Sequence, residues 1–152
     1  EISGVTQLQS GAPLTVALGE DIAGVGPGNG DQVWNVNGNP VIPKGERAFS
    51  DSNADRNFWF DPTVFSRPAN GTWGNAGRNL MYGPGFWNFD VGLRKNFSLT
   101  ETVRFQLRGE VFNLFNHPNW SNPSTNPTSG AFGRVQSKFG ERQIQVALKF
   151  SF

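Results

Sequence analysis

Gln143-Ile144-Gln145-Val146-Ala147-Leu148-Lys149-Phe150-Ser151-Phe152 alternates without a break. Ile144, Val146, Leu148, Phe150 and Phe152 form one row. Gln143, Gln145, Ala147, Lys149 and Ser151 form the other. Successive side chains of a strand point to opposite faces, so this period of two predicts a strand with one apolar side and one largely polar side. Two further runs repeat the pattern. Trp87, Phe89, Val91 and Leu93 interleave with Asn88, Asp90, Gly92 and Arg94, and the run continues through Lys95 and Asn96 to Phe97. Val103, Phe105, Leu107, Gly109 and Val111 interleave with Arg104, Gln106, Arg108 and Glu110. An earlier, weaker strand over Ile2 to Leu18 is interrupted by Gly4, Gly11 and Pro13, which predicts a bulged or bent course.

The short segment Phe97-Ser98-Leu99-Thr100-Glu101 between the second and third runs predicts a hairpin. The faces must match across it, so the numbers of paired residues must sum to an even value. Two such registers compete. One pairs Asn96 with Thr102, Asp90 with Arg108 and Asn88 with Glu110, at the expense of Arg94 opposite Arg104. The other sets Asp90 opposite Glu110, like charges that sheets disfavour. The first is expected, with Asp90 and Arg108 as partners.

Composition agrees with β structure. The 152 residues include 19 Gly and 10 Pro, which disfavour helix interiors, and 14 Phe with 5 Trp, which argue against disorder. Lys and Arg number 13 against 12 Asp and Glu, a net charge of +1 that gives no reason to expect a nucleic-acid partner. The absence of cysteine excludes disulfides and thiolate metal sites. No run approaches a transmembrane helix, and Glu1-Ile2-Ser3-Gly4 lacks the basic and apolar regions of a signal peptide. Mean hydropathy is negative, as alternating barrel strands allow.

The connections are unequal. About Gly19 to Gly85 and about Leu114 to Gly140 read as long loops, and only the turn near Ser98 is tight. Loops this long count against a compact domain but fit a transmembrane barrel, where short periplasmic turns alternate with long extracellular loops. Strand, long loop, strand, short turn, strand, long loop, strand puts both long connections on one side. About 9 to 11 tilted residues cross a bilayer, which these runs satisfy. A charge facing lipid at midplane costs roughly 2–4 kcal/mol. Asp90, Arg94, Arg104, Arg108, Glu110 and Lys149 are therefore expected to face the lumen, with Trp87 and Phe97 at opposite interfaces. The fold class expected is all-β: antiparallel strands of a transmembrane outer-membrane β-barrel, about four of them, in contact with outer-membrane lipid.

The order of motifs resembles Oar-like TonB-dependent receptors. The residues concerned are Phe60-Asp61-Pro62 through Phe65, Gly74-Asn75-Ala76-Gly77-Arg78-Asn79, Gly83-Pro84-Gly85 and Asn88-Phe89-Asp90-Val91-Gly92-Leu93-Arg94-Lys95. They continue with Glu101, Arg108-Gly109-Glu110-Val111-Phe112-Asn113-Leu114-Phe115-Asn116-His117-Pro118-Asn119, Phe132-Gly133-Arg134 and the final strand from Arg142. Gln9-Ser10-Gly11-Ala12-Pro13-Leu14-Thr15-Val16 is similar to the strand before them, and the likeness is poorest between about Gly19 and Phe58. The resemblance implies a barrel of about 22 strands around a plug. It also implies energy delivered through TonB, uptake of a ligand the residues do not identify, and residence in the Gram-negative outer membrane. Residues 1–152 would be the C-terminal segment of that barrel, a fragment whose plug and TonB box lie elsewhere. In outer-membrane proteins a terminal aromatic with alternating apolar residues is read by the barrel-assembly machinery. Ile144, Val146, Leu148, Phe150 and Phe152 match that pattern.

Other motifs carry less. The run Gly24 to Gly30 lacks the flanking strand, helix and Lys-Ser/Thr of a phosphate loop. Asp51-Ser52-Asn53-Ala54-Asp55 opens like a calcium loop, but Arg56 and Pro62 stand where its Gly and Glu belong. His117 is the only histidine, so neither a zinc site nor a Ser-His-Asp triad is expected. No catalytic residue, metal or cofactor is expected, and no enzyme activity. Asn70-Gly71-Thr72, Asn96-Phe97-Ser98 and Asn119-Trp120-Ser121 are sequons that only a eukaryotic secreted protein would use. Two rivals remain: a non-transporting structural or adhesion barrel, and a soluble carbohydrate-binding β-sandwich displaying Trp34, Trp59, Trp73 and Trp120.

Overall fold

The computed structural model describes residues 1–26, 32–47, 49 and 57–152. Its strands in chain order begin with β1 (Ile2–Gln9), β2 (Pro13–Leu14), β3 (Ala17–Leu18), β4 (Gln32–Val33), β5 (Asn35–Val36), β6 (Phe65–Ser66) and β7 (Met81–Tyr82). They continue with β8 (Phe86–Ser98), β9 (Arg104–Phe112), β10 (Asn119–Trp120), β11 (Lys138–Phe139) and β12 (Gln143–Ser151). Two single turns of 3-10 helix, Lys44–Glu46 and Pro62–Val64, are the helical elements among the described residues. No helix is long and apolar enough to cross a membrane, which says nothing of strands.

The chain divides into two compact units. One comprises Glu1–Ser10, Gly85–Asn119 and Lys138–Phe152; the other comprises Gly11–Pro84 and Trp120–Ser137. The first is an open antiparallel sheet in the order β1-β8-β9-β12. The three alternating runs form its long strands. The weak run divides: β1 stops at Gln9, and the segment to Leu18 belongs to the other unit. Gly11 permits the close backbone approach at this point, because a Cβ there would lie 1.9 Å from the Gly83 carbonyl oxygen. The strand expected over Ile2 to Leu18 is therefore replaced by β1 and the separate short strands β2 and β3.

The hairpin keeps its faces but not the expected register. Phe97 pairs with Phe105, Asn96 with Gln106, Arg94 with Arg108 and Gly92 with Glu110. Asp90 is not the partner of Arg108, Asn88 is not opposite Glu110, and Arg94 meets Arg108 instead of Arg104. Two features select this pairing. The turn closes with Leu99 N–H donating to Val103 O at 2.9 Å, while Thr100 Oγ1 accepts from Val103 N–H at 3.0 Å. The register also stacks Phe97 on Phe105, centroids 4.5 Å apart, and joins Gln106 Nε2 to Asn96 Oδ1 at 2.7 Å. Aromatic contact and an amide–amide hydrogen bond outweigh one exposed ion pair, which contributes about 1 kcal/mol at most.

Apart from the stretch from Gly11 to Leu18, the second unit consists of segments expected to be loops. Leu14, Val16, Trp59, Phe60, Phe65, Ala76, Met81 and Val135 form a buried cluster. Phe60 packs edge-on to Phe65 and Phe132, with centroids 5.8 and 5.4 Å apart. Trp59 stacks on Phe49, donates from Nε1 to Tyr82 O at 2.7 Å, and lies under the Arg47 guanidinium at 4.0 Å. The two-residue pairs β2 with β7, β3 with β4 and β5 with β6 tie the segments together. The Asp21 carboxylate accepts from the backbone N–H groups of Gly26 and Val25 and from Gln32 Nε2. These bonds, that from Gly26 foremost, hold its pKa below the ordinary carboxylate value.

Candidate functional site: two unlike faces of the sheet

Register sorts the sheet's side chains. Directly paired residues share a face, so Leu8 and Trp87 join the row Phe89, Val91, Leu93 of β8. Phe105 and Leu107 of β9 extend it to Phe150 and Leu148 of β12, and Gly109 and Val111 extend it to Val146 and Ile144. This is the apolar face. It is bare: Ile144 is 65% exposed, Val146 71% and Phe150 62%. An apolar surface of this extent is costly in water and marks contact with another apolar phase.

Aromatics gather at both ends of that face. Toward β8's start, Trp87 packs on Phe89 at 5.5 Å, Phe89 on Phe115 at 5.2 Å, and the His117 ring lies 3.9 Å from Trp87. Toward the turn, Phe97, Phe105 and Phe150 make a ladder, the last two 5.9 Å apart. Lys95, the charge on this row, lies by the turn with Nζ 5.8 Å from the Phe97 ring, so its aliphatic stem can cover apolar surface while the ammonium reaches water.

The opposite face carries Asp90, Arg94, Arg104, Arg108, Glu110 and Lys149. Lys149 pairs with Gln106, and Gln145 with Glu110. Arg94 pairs with Glu1, and Arg108 with Glu110 at 2.5 Å. Asp90 lies across from Val5 of β1. Its carboxylate accepts from Asn113 N–H at 2.9 Å and Asn88 Nδ2 at 2.8 Å, so it anchors the end of β9. The expected Asp90–Arg108 partnership gives way to this backbone anchor.

Asn113 is a residue that pattern reading passed over. It is 3% exposed and has φ 49°, the left-handed region. Its Oδ1 accepts from His117 N–H at 3.0 Å, and its Nδ2 donates to the carbonyls of His117 and Gly140. Asn116, with φ 50°, accepts from Arg142 N–H at 3.2 Å. Asn tolerates that backbone conformation better than most residues, so Asn113-Leu114-Phe115-Asn116 ending a strand was the available signal.

Trp59 is 9% exposed, and Trp34 and Trp120 pack against the buried cluster; of the four tryptophans proposed for sugar binding only Trp73, at 56%, stands open. Among the described residues no His, Cys, Asp and Glu gather in a group that could hold a metal. The calcium-like stretch Asp51 to Arg56 and the Pro27 to Gly30 part of the glycine run lie outside the described residues.

A family model described as an outer membrane beta barrel domain matches residues 1–145, which includes β1, β8 and β9 entire. No curated protein and no solved structure matches the chain. The match explains the bare apolar face: hydrocarbon offers no hydrogen bonds, so strands that cross it pair edge to edge and present apolar side chains to lipid. The chain belongs to the outer membrane beta barrel domain family, an all-β component of the Gram-negative outer membrane.

Proposed function

We propose that the chain forms C-terminal strands of a TonB-dependent receptor and contributes barrel wall and extracellular loops to the uptake of a ligand. The observation that carries this reading is the division of the sheet into an apolar row and a row bearing Asp90, Arg94, Arg104, Arg108, Glu110 and Lys149. Under it, the first faces lipid and the second a watery interior, and both long connections leave the sheet on the extracellular side. The Oar-like order of motifs from Phe60 to Phe152 supplies the receptor identity. The packed cluster around Phe60 supports it by making those connections an ordered surface fit for recognition. The ends of the apolar face serve as interfacial anchors. Ile144, Val146, Leu148, Phe150 and Phe152 engage the barrel-assembly machinery. The work is binding and passage, without chemistry on the ligand.

Photo-crosslinking of the full-length protein to the periplasmic domain of TonB in living cells tests the reading. Adducts formed from a segment upstream of residue 1 are expected. A correctly assembled barrel that never crosslinks to TonB would be a structural or adhesive barrel instead.

A further inference from the structure

The register orders the charges of the polar face along the strands. Counting from the turn, Ser98 lies beside Arg104 and Ser151, Asn96 beside Gln106 and Lys149, and Arg94 beside Arg108 and Ala147. These three rungs hold four cations, and the one carboxylate among them is Glu1, bonded to Arg94. The next rung brings Glu110, and Asp90 lies beyond it. Among the paired residues of β8, β9 and β12, cations thus occupy the turn side and acids the opposite side, while Glu1 and the turn residue Glu101 are the carboxylates on the cation side. Arg104 and Lys149 make no ion pair among the described residues. Arg94 and Arg108 are directly opposed, an arrangement that disfavours the sheet. Their side chains remain 45% and 55% exposed. A hollow of about 120 Å³ beside both arginines is also lined by Glu1 and Glu110, and one of about 450 Å³ beside Arg108 by Glu110, so the space clear of carboxylates lies toward Arg104 and Lys149.

We infer that the turn-side half of the polar face is a station for a small anionic solute, one carrying carboxylate or phosphate groups, attracted by Arg94, Arg104, Arg108 and Lys149. The inference rests on the proposed reading that this face lines the barrel interior. Guanidinium groups have donors to spare after one carboxylate is bound and match planar or tetrahedral oxyanions. In a low-dielectric wall their fields add, concentrating anions at that level of the interior.

The absence of cysteine from these residues makes a thiol test clean. In the full-length protein, with other cysteines replaced by serine, Gln106→Cys places a thiol between Arg104 and Arg108 and opposite Lys149. Leu107→Cys places one on the apolar face. Membranes are treated with an anionic and a cationic methanethiosulfonate, and heat-modifiable mobility confirms that each variant assembles. The Gln106→Cys thiol is expected to react faster with the anionic reagent by at least about fivefold, relative to a free thiol. That preference should collapse when Arg104, Arg108 and Lys149 are all changed to Gln, and Leu107→Cys should stay unreactive. Reaction at Gln106→Cys without charge preference would overturn the anion station while leaving the interior-facing reading intact. An unreactive Gln106→Cys with Leu107→Cys also silent would overturn it too, since no solute would reach the site. Reaction at Leu107→Cys would instead sink the assignment of faces, and the inference with it.

Discussion

Asn113 shows what a single side chain does at a strand end. Where β9 stops, the chain must turn and the freed backbone groups need partners; otherwise each buried one costs about 1–3 kcal/mol. Asn113 meets both needs, turning with φ 49° and bonding His117 and Gly140, while Asp90 caps its own N–H. Asn113→Ala loses the bonds and puts a poorly tolerated residue in the left-handed region, for a combined loss of about 3 kcal/mol. Asn113→Gly loses the same bonds but not the conformational ease, and should recover about 1 kcal/mol of that. Urea unfolding of the assembled protein checks both. Equal loss in the two variants would mean that the backbone conformation contributes nothing. Asn113 was invisible to alternation because its role begins where alternation ends. Its signal was local: an Asn directly after a strand, with a second Asn three residues on.

At the scale of elements, what periodicity reveals and what it leaves open is clear from the hairpin. Alternation determined which residues of β8, β9 and β12 share a face, since a shift by one residue would turn every apolar side chain over. It could not choose among registers that differ by two, because all of them keep the faces. Charge pairing was a weak guide to that choice. Asp90 had a stronger use at Asn113, and surface ion pairs contribute little. The turn and the Phe97–Phe105 stack decide it. Oxidation of paired cysteines reads the result directly. Asn96→Cys with Gln106→Cys should crosslink readily, because antiparallel neighbours meet the separation a disulfide requires. Asn96→Cys with Thr102→Cys, the pair of the discarded register, should crosslink far more slowly. The opposite ranking would restore that register and the Asp90–Arg108 pair with it.

For the whole molecule, the legible part was the sheet and the illegible part the second unit. Strands that cross a membrane repeat one pattern because they meet the same two environments at each step. The second unit has no repeating environment: its strands are two residues long, and Trp59, Phe60, Phe65 and Val135 come to its core from distant segments with no period. Its aromatics could therefore be read as exposed sugar platforms when most are packed inside. Phe60, 1% exposed and edge-on to two other phenylalanines, is central to that core. Phe60→Ala should cost the unit about 3–5 kcal/mol. Protease added to intact cells should then cut within the Gly11–Pro84 segment of the variant and spare the wild type.

Phe152 poses the reverse case at the same scale. It follows the end of β12, is 103% exposed, and takes no part in the ladder. Removing its ring therefore sacrifices no packing within the sheet. On wall energetics alone Phe152→Ala should be close to neutral, since β12 still pairs with β9 from Gln143 to Ser151. If the residue is read during assembly, the same change should instead lower the outer-membrane level of heat-modifiable barrel several-fold, with unfolding of the assembled fraction unchanged. Phe150→Ala separates the two roles. Phe150 stacks on Phe105, so its loss should weaken the assembled barrel as well as slow its formation. A Phe152→Ala protein that reaches the membrane at wild-type levels would leave Phe152 without an assembly role.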